Sequence, residues 1–394
     1  MTPSPPVRRP AQPKYQLVFE NLRKEILSGQ YQAGERIPSE AHLEKRFGAS
    51  RITIGRAVRD LCHQGLVERR AGSGTFVRAN GEGRREKRAL SFGLMIPDLG
   101  RTDIFEFICQ GLAEAPHAEE HALLWCNAMP GTPGTGTLER AWQICQQCIT
   151  RQVAGVFFAP IEEAGEITAA EREGMNTKIL AALKAAQIPV VLLDRDAVPF
   201  PGRSGLDLVG LDNWRAGMLA TNHLLGQGSR RPVFLCSRQR MASSVEERIA
   251  GFCAAIAGAG LACEAEQVQR VDLEDEGSLR EMVEAVRPDA FVCANDRTAG
   301  RLMQVLLGLG IRIPQEVRIM GVDDIPFAGF FSVPLSTLHQ PCREIGQVAM
   351  QTMLERLKRP EMPARRISLE ATLVVRESCG GKISARDERE FLVE

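Results

Sequence analysis

A helix-turn-helix pattern lies between Pro38 and Leu61, where the sequence reads PSEAHLEKRFGASRITIGRAVRDL. Pro38 followed by Ser39 is typical of a helix start, and Gly48 predicts the end of that helix. Ser50 is placed to cap a second helix in the same stretch. The sequence therefore predicts two short helices joined by a tight turn.

The second of these helices has one apolar and one polar face at the 3.6-residue period. Its apolar face consists of Ile54, Ala57, Val58 and Leu61. The residues predicted to point the other way, or to stand at the exposed N-terminal end, are Arg51, Ile52, Gly55, Arg56 and Arg59. A basic helix after a tight turn favours contact with a polyanion.

Elements on both sides extend this pattern. Upstream, apolar residues repeat at helical spacing from Tyr15 to Ile26, and that helix is predicted to end at Gly29. Downstream, apolar and basic residues alternate over 66–70, and 71–74 (AGSG) predicts a turn before Thr75, Phe76 and Val77. The hairpin is interpreted as a wing beside the two helices.

The charge distribution separates this region from the rest of the chain. The 394 residues carry no net charge, yet residues 1–80 contain 14 Lys and Arg against 7 Asp and Glu. A basic module is drawn to phosphates by counterion release, whereas the acidic remainder is repelled by them. Only the first 80 residues are predicted to contact DNA.

Residues 15–77 resemble the winged helix of the GntR family. The matching positions are Tyr15, Ile26, Gly29, Gly34, Pro38-Ser39-Glu40, Leu43, Phe47, Ser50-Arg51, Thr53, Ala57, Leu61, Gly65-Leu66, Gly72 and Gly74-Thr75-Phe76-Val77. The resemblance implies that Arg51 and Thr53 contact an operator and that the wing lies near the minor groove or the backbone. Independently, capped helix N-termini can face phosphate.

The complete predicted DNA-binding set is Ser39, Ser50, Arg51, Ile52, Thr53, Arg56, Arg59, Gly72, Ser73, Gly74 and Thr75. Two positions depart from the family pattern. Gly55 stands where a second arginine is usual, and Ala41 where a longer polar residue is common. We interpret Gly55 as allowing close approach to DNA, with Arg56 or Arg59 supplying the charge; the alternative is an ordinary solvated helix face.

Beyond a charged linker at 79–89, short apolar runs alternate with helical stretches. The predicted buried strands are 92–96, 122–126, 155–159, 190–194, 233–237, 290–294 and 318–322. Alternating strands and helices indicate an α/β domain with doubly wound parallel sheets, and its length favours two lobes. Loops are predicted at 130–137 and 162–175, and a polar tail at 380–394.

Residues 91–379 resemble the effector domain of the LacI family, which is related to periplasmic sugar-binding proteins. The landmarks are Ile188 to Val191 leading to Asp194, Asp212-Asn213 with Gly217, Glu247-Arg248 with Gly251-Phe252, Ala294-Asn295-Asp296, Gly321 to Asp324, Pro334 to Thr337 and Val375 to Ser378. A GntR winged helix joined to a LacI-type sensor resembles the arabinose-type repressors.

The resemblance implies an interlaced chain path and a ligand cleft. The predicted domains are a winged helix at 14–78 and a sensor at 90–379, whose first lobe takes about 90–211 and a helix at about 342–366. The second lobe takes about 212–340 and a strand at about 370–377, and three crossings form a hinge.

A sugar site needs carboxylates, amides, an arginine and an apolar wall. Asp194, Arg248, Asn295 and Asp323 supply the polar groups at strand ends, and the resemblance places them in the cleft. Additional candidates near the first strand are Asp103 as a hydroxyl acceptor and Phe105 as a stacking wall. Asp212, Asn213, Asp296 and Asp324 remain open between ligand contact and a structural role, and a structural salt bridge is the alternative for Arg248 and Asp323.

No enzyme, metal or cofactor site is predicted. Cys145 and Cys148 have a CxxC spacing, but they lie in a helical pattern with no second pair, which favours buried thiols. No phosphate loop, HExxH element or Ser-His-Asp order is present. Scattered thiols and a polar start predict a cytoplasmic protein, and no apolar run reaches the roughly 20 residues of a membrane helix.

The predicted function is a homodimeric transcription repressor that binds double-stranded operator DNA and responds to a small polar effector, a sugar or a sugar-like compound. A corepressor-dependent or activating regulator is the alternative within the class. An enzyme or an exported sugar-binding protein is the alternative outside it.

Overall fold

The computed structural model describes residues 14–32, 34–63, 66–70, 73–77, 89–96, 104–116, 118–125, 136–162, 168–238 and 242–381. The chain forms two units, Met1–Ala89 and Leu90–Glu394. Residues 79–88 of the predicted linker at 79–89, residues 130–135 of the predicted loop at 130–137 and residues 382–394 of the predicted tail lie outside the described residues.

The first unit is a three-helix bundle with a hairpin. Its elements are α1 (Lys14–Leu27), α2 (Glu40–Phe47), α3 (Arg51–His63), β1 (Val67–Arg70) and β2 (Gly74–Val77). The two strands are antiparallel, and Val67 pairs with Val77. Apolar residues of all three helices and both strands bury each other, including Leu22, Leu43 and Ile54. The predicted winged helix-turn-helix is confirmed.

The second unit contains two parallel sheets. The first has six strands in the order β13-β7-β6-β5-β3-β4, formed by β3 (Ser91–Met95), β4 (Ala122–Trp125), β5 (Gly155–Phe158), β6 (Val190–Leu193), β7 (Asp207–Leu211) and β13 (Arg366–Leu369). The second has the order β11-β10-β8-β9, formed by β8 (Pro232–Ser237), β9 (Val268–Val271), β10 (Ala290–Cys293) and β11 (Arg318–Met320). In each sheet, the strand that comes first in the chain lies between the second and the third.

Helices cover both faces of each sheet. The helices of this unit are α4 (Ile104–Glu114), α5 (Thr137–Thr150), α6 (Ala169–Ala185), α7 (Asn213–Gly226), α8 (Ser243–Gly258), α9 (Glu276–Val286), α10 (Asp296–Gly308) and α11 (Cys342–Lys358). Helices α4 and α11 cover one face of the first sheet, and α5 and α6 the other. Helices α7 and α8 cover one face of the second sheet, and α9 and α10 the other. The predicted doubly wound α/β fold is confirmed. We call each sheet with its helices a lobe.

The chain passes between the lobes three times. It leaves the first sheet after β7 and returns to it through α11, which packs against α4. It leaves again after β13 to form β14 (Thr372–Val374), which pairs antiparallel with β12 (Thr337–His339). The second crossing contains Gln340, whose side chain is buried.

The strand predictions were right in place but incomplete. All seven predicted strands are present, with ends shifted by up to two residues. Three parallel strands were missed: β9 and β13 lie at sheet edges and are half-exposed, so they lack a continuous apolar run. The third, β7, begins with the buried Asp207, whose carboxylate forms ion pairs with Arg356 and Arg365.

Two predicted boundaries were wrong. Part of the predicted loop at 162–175 is helical, because Thr168 and Glu171 form a capping box that starts α6 at Ala169. The helix predicted to run to 366 ends at Lys358, shortly before Pro360 and Pro363, whose carbonyls accept hydrogen bonds from the Arg356 guanidinium. Among the described residues no helix is long and apolar enough to span a membrane.

Candidate functional site

Helices α2 and α3 begin at side-chain caps, as the sequence predicted. The Ser39 hydroxyl accepts the backbone N–H of His42 at 3.3 Å. The Ser50 hydroxyl accepts the N–H of Thr53 at 3.4 Å and lies 2.9 Å from the Thr53 hydroxyl. These contacts fix the first turn of α3 and engage the Thr53 hydroxyl within the protein.

The face of α3 opposite the core is exposed. Arg51, Ile52, Arg56 and Arg59 are exposed, and 82% of the Ile52 surface is accessible. The Arg56 guanidinium lies over the Tyr15 ring of α1, 4.1 Å from its centroid. Arg56 therefore occupies the predicted face, but its charge rests on an aromatic ring of the same unit.

Gly74, at the end of the hairpin turn, is a glycine that no other residue can replace without strain. Gly74 has φ = +116°, and a Cβ there would lie 2.5 Å from Nε of Arg36. Ser73 is exposed, and Thr75 accepts the N–H of Ile37 through its backbone carbonyl at 3.0 Å. Gly72 lies outside the described residues. That these residues contact DNA stays a prediction.

In the second unit, glycines bring α7 and α8 into backbone contact and thereby place Arg248. A Cβ on Gly217 would lie 2.0 Å from the Arg248 carbonyl, and one on Gly251 would lie 1.9 Å from the Trp214 carbonyl. The close crossing brings the Arg248 guanidinium to Asn213, whose Oδ1 accepts its Nε–H at 2.8 Å. Nη1 donates to the Ala294 carbonyl at 2.6 Å.

We group Asp194, Arg248 and Asp323 as a carboxylate–arginine cluster, in which Asp194 and Arg248 are buried and Asp323 is half-buried. Asp194 follows the end of β6 in the first lobe, and Asp323 lies just beyond β11 in the second. Only 5% of the surface of Asp194 and of Arg248 is accessible. These three predicted effector residues thus come from both lobes, and the charge of Arg248 opposes the rise in the pKa of both carboxyl groups.

Burial raises the pKa of both carboxyl groups of the cluster. Desolvation raises the pKa of Asp194, and the charges of Arg195 and Arg248 oppose that rise. Desolvation also raises the pKa of Asp323 well above its usual value, against the charge of Arg248, while nearby Asp296 and Asp194 raise it further. Arg248 therefore acts electrostatically on both carboxyl groups.

The backbone at these carboxylates is unusual. Asp194 has φ = +68°, Asp323 has φ = +119° and Asp324 has φ = +56°, all in the left-handed region that favours glycine. Such conformations occur where the surrounding structure imposes them, and they concentrate at binding sites. In Asp194 the strain accompanies close packing, because a Cβ on Gly210 of β7 would lie 2.9 Å from its carbonyl oxygen.

The remaining predicted effector residues are placed differently. Asn295 caps α10, and its Oδ1 accepts both the N–H and the hydroxyl of Thr298 at 2.8 Å. Asn295 lines a separate cavity of about 710 Å³ with Arg301 and Phe331, among others. Phe105 is fully buried, and the Arg195 guanidinium lies 5.3 Å from its ring centroid, so a ligand stacking on that face has to displace Arg195. Asp103 lies outside the described residues.

The residues that sequence left open have structural contacts. Asp212 caps α7 by accepting the N–H of Arg215 at 3.0 Å. Asp296 is buried and accepts the Thr337 hydroxyl at 2.5 Å and the N–H of Ile325 at 2.9 Å. Asp324 accepts from Arg376 at 2.8 Å.

Sequence reasoning missed two buried neighbours of the cluster. Arg195 pairs with Asp194 at 3.0 Å and with Glu162 at 2.6 Å. Gln340 donates from Nε2 to Asp323 at 2.6 Å. The alternating Asp194-Arg195-Asp196 directly after a buried strand was the available signal for the first, whereas Gln340 meets Asp323 only through the pairing of β12 beside residue 323.

Contacts also link the two lobes beside the cluster. The N–H of Asp196 donates to the Ser243 hydroxyl at the start of α8, at 2.8 Å. Glu247 of α8 forms an ion pair with Arg366 of β13. Residues adjacent in sequence to Asp194 and Arg248 therefore hold the lobes against each other.

The cysteine pair on α5 has no features of a reactive or metal-binding site among the described residues. Cys145 and Cys148 are buried on α5 beneath the first sheet, which agrees with the interpretation as buried thiols. Burial raises the pKa of the Cys145 thiol to about 11. Within the described ranges no group of three His, Cys, Asp or Glu side chains is arranged to hold a metal ion.

Two family models match the chain. Residues 14–77 match the model for bacterial regulatory proteins of the gntR family, and residues 221–379 match that for a periplasmic binding protein-like domain. The arabinose metabolism transcriptional repressor of Geobacillus stearothermophilus is 24% identical over 354 residues, covering 88% of this chain and 92% of that protein. The HTH-type transcriptional repressor PurR of Vibrio vulnificus is 28% identical over 278 residues, covering 70% and 77%.

A solved structure has the same fold. The complex of the transcriptional regulator CelR with cellobiose aligns with a TM-score of 0.61 and 21% sequence identity. The alignment covers 93% of this chain and the whole of that structure.

Proposed function

We propose that this chain, which joins a gntR-family regulatory domain to a periplasmic binding protein-like domain, is a transcription repressor controlled by a sugar or sugar-like effector. The winged helix at 14–78 binds operator DNA. The effector binds between the lobes at the carboxylate–arginine cluster and changes operator affinity.

The DNA-binding part of the proposal rests on the first unit. Its helix α3 has an exposed face with Arg51 and Arg59, and Ser50 caps its N-terminus. Helix N-termini and arginines bind phosphate, and the first residues of a recognition helix contact base edges. Two relatives that align over most of this chain are named as transcriptional repressors.

The observation that carries the effector part is that two carboxyl groups at positive φ, one from each lobe, both lie within the electrostatic influence of the buried Arg248, which opposes the rise in their pKa values. Carboxylate oxygens accept hydrogen bonds from hydroxyls, and a guanidinium donates to hydroxyl oxygens. A polyol that contacts Asp194, Arg248 and Asp323 therefore holds both lobes together. Ligand binding to both lobes favours their closed arrangement by the difference in affinity.

Gln340 supplies a further acceptor beside the cluster. Its side chain is 1% exposed, and in the described part of the chain its Oε1 has no hydrogen-bond partner, although its Nε2 is bonded to Asp323. A buried carbonyl oxygen without a partner is costly. A ligand hydroxyl that donates to this oxygen offsets that cost, and Gln340 lies on a crossing between the lobes.

The assembly that fits this function is a homodimer. Two winged helices then contact the half-sites of a pseudo-palindromic operator, and movement of the lobes changes their spacing. A coupling free energy of about 1–3 kcal/mol, which changes operator affinity about 5- to 150-fold, is sufficient for control.

The test uses the full chain in two assays. Duplexes are first selected from a random-sequence library, and the selected duplex is used in mobility-shift titrations with ribose, arabinose, xylose, glucose, galactose, cellobiose and nucleosides. The same compounds are screened by thermal shift against wild type, Asp323→Ala and the control Glu281→Ala, which removes an exposed carboxylate of α9. We expect one compound class to stabilise wild type and Glu281→Ala but not Asp323→Ala, and to weaken operator binding.

The outcomes separate the alternatives. Failure to select any duplex contradicts the regulator function. Selection of a duplex with no response to any compound contradicts the sugar effector. A compound that tightens operator binding instead identifies a corepressor-dependent regulator of the same fold.

A further inference from the structure

The first turn of α3 exposes an apolar side chain among cations. Ile52 is the second residue of the helix, follows the exposed Arg51, and is 82% accessible. By contrast, the buried apolar residues of α3, such as Ile54 and Leu61, belong to the core of the unit. Ile52 therefore contributes nothing to that core and is available to a partner of the exposed face.

The position one turn after Ile52 carries no side chain. Residues three apart lie on the same helix face, so Gly55 is the neighbour of Ile52. A Cβ on Gly55 would meet nothing within 4 Å, and its φ is not positive, so neither packing nor backbone conformation requires glycine there. Glycine is disfavoured inside a helix, so its benefit has to come from outside the unit. An uncovered strip of helix beside Ile52 lets a partner approach closely.

Neighbouring polar groups are already engaged. The Thr53 hydroxyl lies 2.9 Å from the Ser50 hydroxyl, and the Arg56 guanidinium rests on Tyr15. The first turn therefore offers a partner the Arg51 guanidinium and the Ile52 methyl groups.

The major groove contains one apolar group to match such a side chain, which is the C5-methyl of thymine. We propose that Ile52 reads the C5-methyl of a thymine in each operator half-site and that Gly55 permits the approach. This inference rests on the proposed function, in which α3 enters the operator, and adds a base preference to it. Arg51 beside it donates to a guanine edge or a phosphate.

A methyl-deletion experiment tests the inference without disturbing the protein. Duplexes selected by the full chain are resynthesised with each thymine replaced singly by deoxyuridine, which lacks only the methyl group. For wild type we expect one thymine per half-site at which the replacement weakens binding about fourfold, the effect of one buried methyl-sized group. The Ile52→Ala variant is expected to bind the thymine and deoxyuridine duplexes equally.

A matched control is the exposed leucine of α1. Leu17 is 47% accessible and lies on another helix, so Leu17→Ala removes an exposed apolar side chain and should keep the fourfold discrimination. The variant Gly55→Leu places a side chain over the uncovered strip of helix beside Ile52. Like Ile52→Ala, it is expected to bind the thymine and deoxyuridine duplexes equally.

Each outcome bears on a different statement. If the wild type binds its duplex but no thymine replacement changes affinity, or if Ile52→Ala keeps the discrimination, this inference is overturned while the proposed function stands. If the full chain selects no duplex at all, the proposed function itself fails.

Discussion

The exposed face of α3 and the carboxylate–arginine cluster both depend on arginine, but in opposite surroundings. Arg51 and Arg59 are exposed, and the prominent side chain between them, Ile52, is 82% accessible. Arg248 is 5% accessible and bonded to Asn213 and the Ala294 carbonyl. An exposed arginine is free to find an external partner, whereas a buried one is bound to particular atoms of its own chain.

The backbone shows the same contrast. Helix α3 runs unbroken from Arg51 to His63, and none of its residues has a positive φ. Asp194 and Asp323 have positive φ, which the surrounding strands impose. Substitutions on α3 should therefore change DNA binding with little effect on folding, and substitutions in the cluster should change both ligand binding and stability.

The largest expected effect is the removal of the buried guanidinium. Arg248→Met keeps much of the side-chain volume but removes the guanidinium that bonds Asn213 and the Ala294 carbonyl, and it removes the positive charge that opposes the rise in the pKa of Asp194 and Asp323. We expect the free energy of unfolding of the second unit to fall by about 3–5 kcal/mol, as when one partner of a buried charge pair is removed. Urea unfolding followed by circular dichroism measures the change.

The matched control for that variant is Arg215→Met on α7. The Arg215 side chain is 56% exposed and lies 3.5 Å from an exposed carboxylate of Glu370. Its loss should cost less than about 1 kcal/mol, because exposed ion pairs contribute little. Equal effects of the two substitutions would remove the distinction between buried and exposed arginines.

A smaller effect is expected from pH. Burial raises the pKa of Asp296 to about 7, and burial also raises the pKa values of Asp194 and Asp323. Unfolded aspartate has a pKa of about 3.9, so between about pH 4 and pH 7 the folded state holds more protons. The unfolding free energy should therefore fall as pH rises through this window, by at most about 1.4 kcal/mol per pH unit for each proton.

The hydrogen bond that His339 donates from Nδ1 to the Asp324 carboxylate raises the pKa of His339, so the folded state also holds that proton longer and the stability it contributes is lost as pH rises beyond about 6.5. Urea unfolding between pH 5 and pH 7.5 measures the slope, and Asp296→Asn should make it shallower. Asp275→Asn is the control, because hydrogen bonds from Ser278 and Gly277 lower the pKa of Asp275 and keep its titration below this window. A wild type that gains stability from pH 5 to pH 7 would contradict the expected sign.

The smallest effect concerns Arg56, which has features of both regions. It is exposed, yet its guanidinium lies 4.1 Å from the Tyr15 centroid. We expect Arg56→Ala to lower the stability of the first unit by about 0.5–1 kcal/mol through loss of this cation–π contact. A double-mutant cycle with Tyr15→Leu measures the coupling, and zero coupling would return Arg56 to the set of arginines free to contact DNA.

Local sequence signals were reliable where the physics is local. The caps Ser39 and Ser50, the stop at Gly48 and the turn before Thr75 lie within a few residues of the atoms they organise, and all were placed correctly. The family resemblances also identified both matched domains. The capping box at Thr168 was legible by the same rule but was overlooked.

Sequence signals failed where the place of a residue in the fold depends on contacts with residues far away in the chain. Asp207 begins a buried strand only because Arg356 and Arg365, more than a hundred residues away, neutralise its charge. Gln340 joins the cluster because β12 runs beside Asp323. Asn295 caps α10 through Thr298, a contact that does not exclude the predicted ligand role, which stays a prediction.

The sequence by itself determined the winged helix, the α/β class of the second unit and the residue types of both candidate sites, because periodicity, capping and charge act over one or two turns of chain. Only the tertiary structure decided which of those residues meet. The close contact of α7 and α8 at their glycines places the Arg248 guanidinium next to Asn213. The three crossings of the chain between the lobes place Asp194 and Asp323 where the charge of Arg248 affects them. Burial and left-handed backbone at the cluster are consequences of that meeting, since desolvation and steric constraint arise only when distant segments pack together.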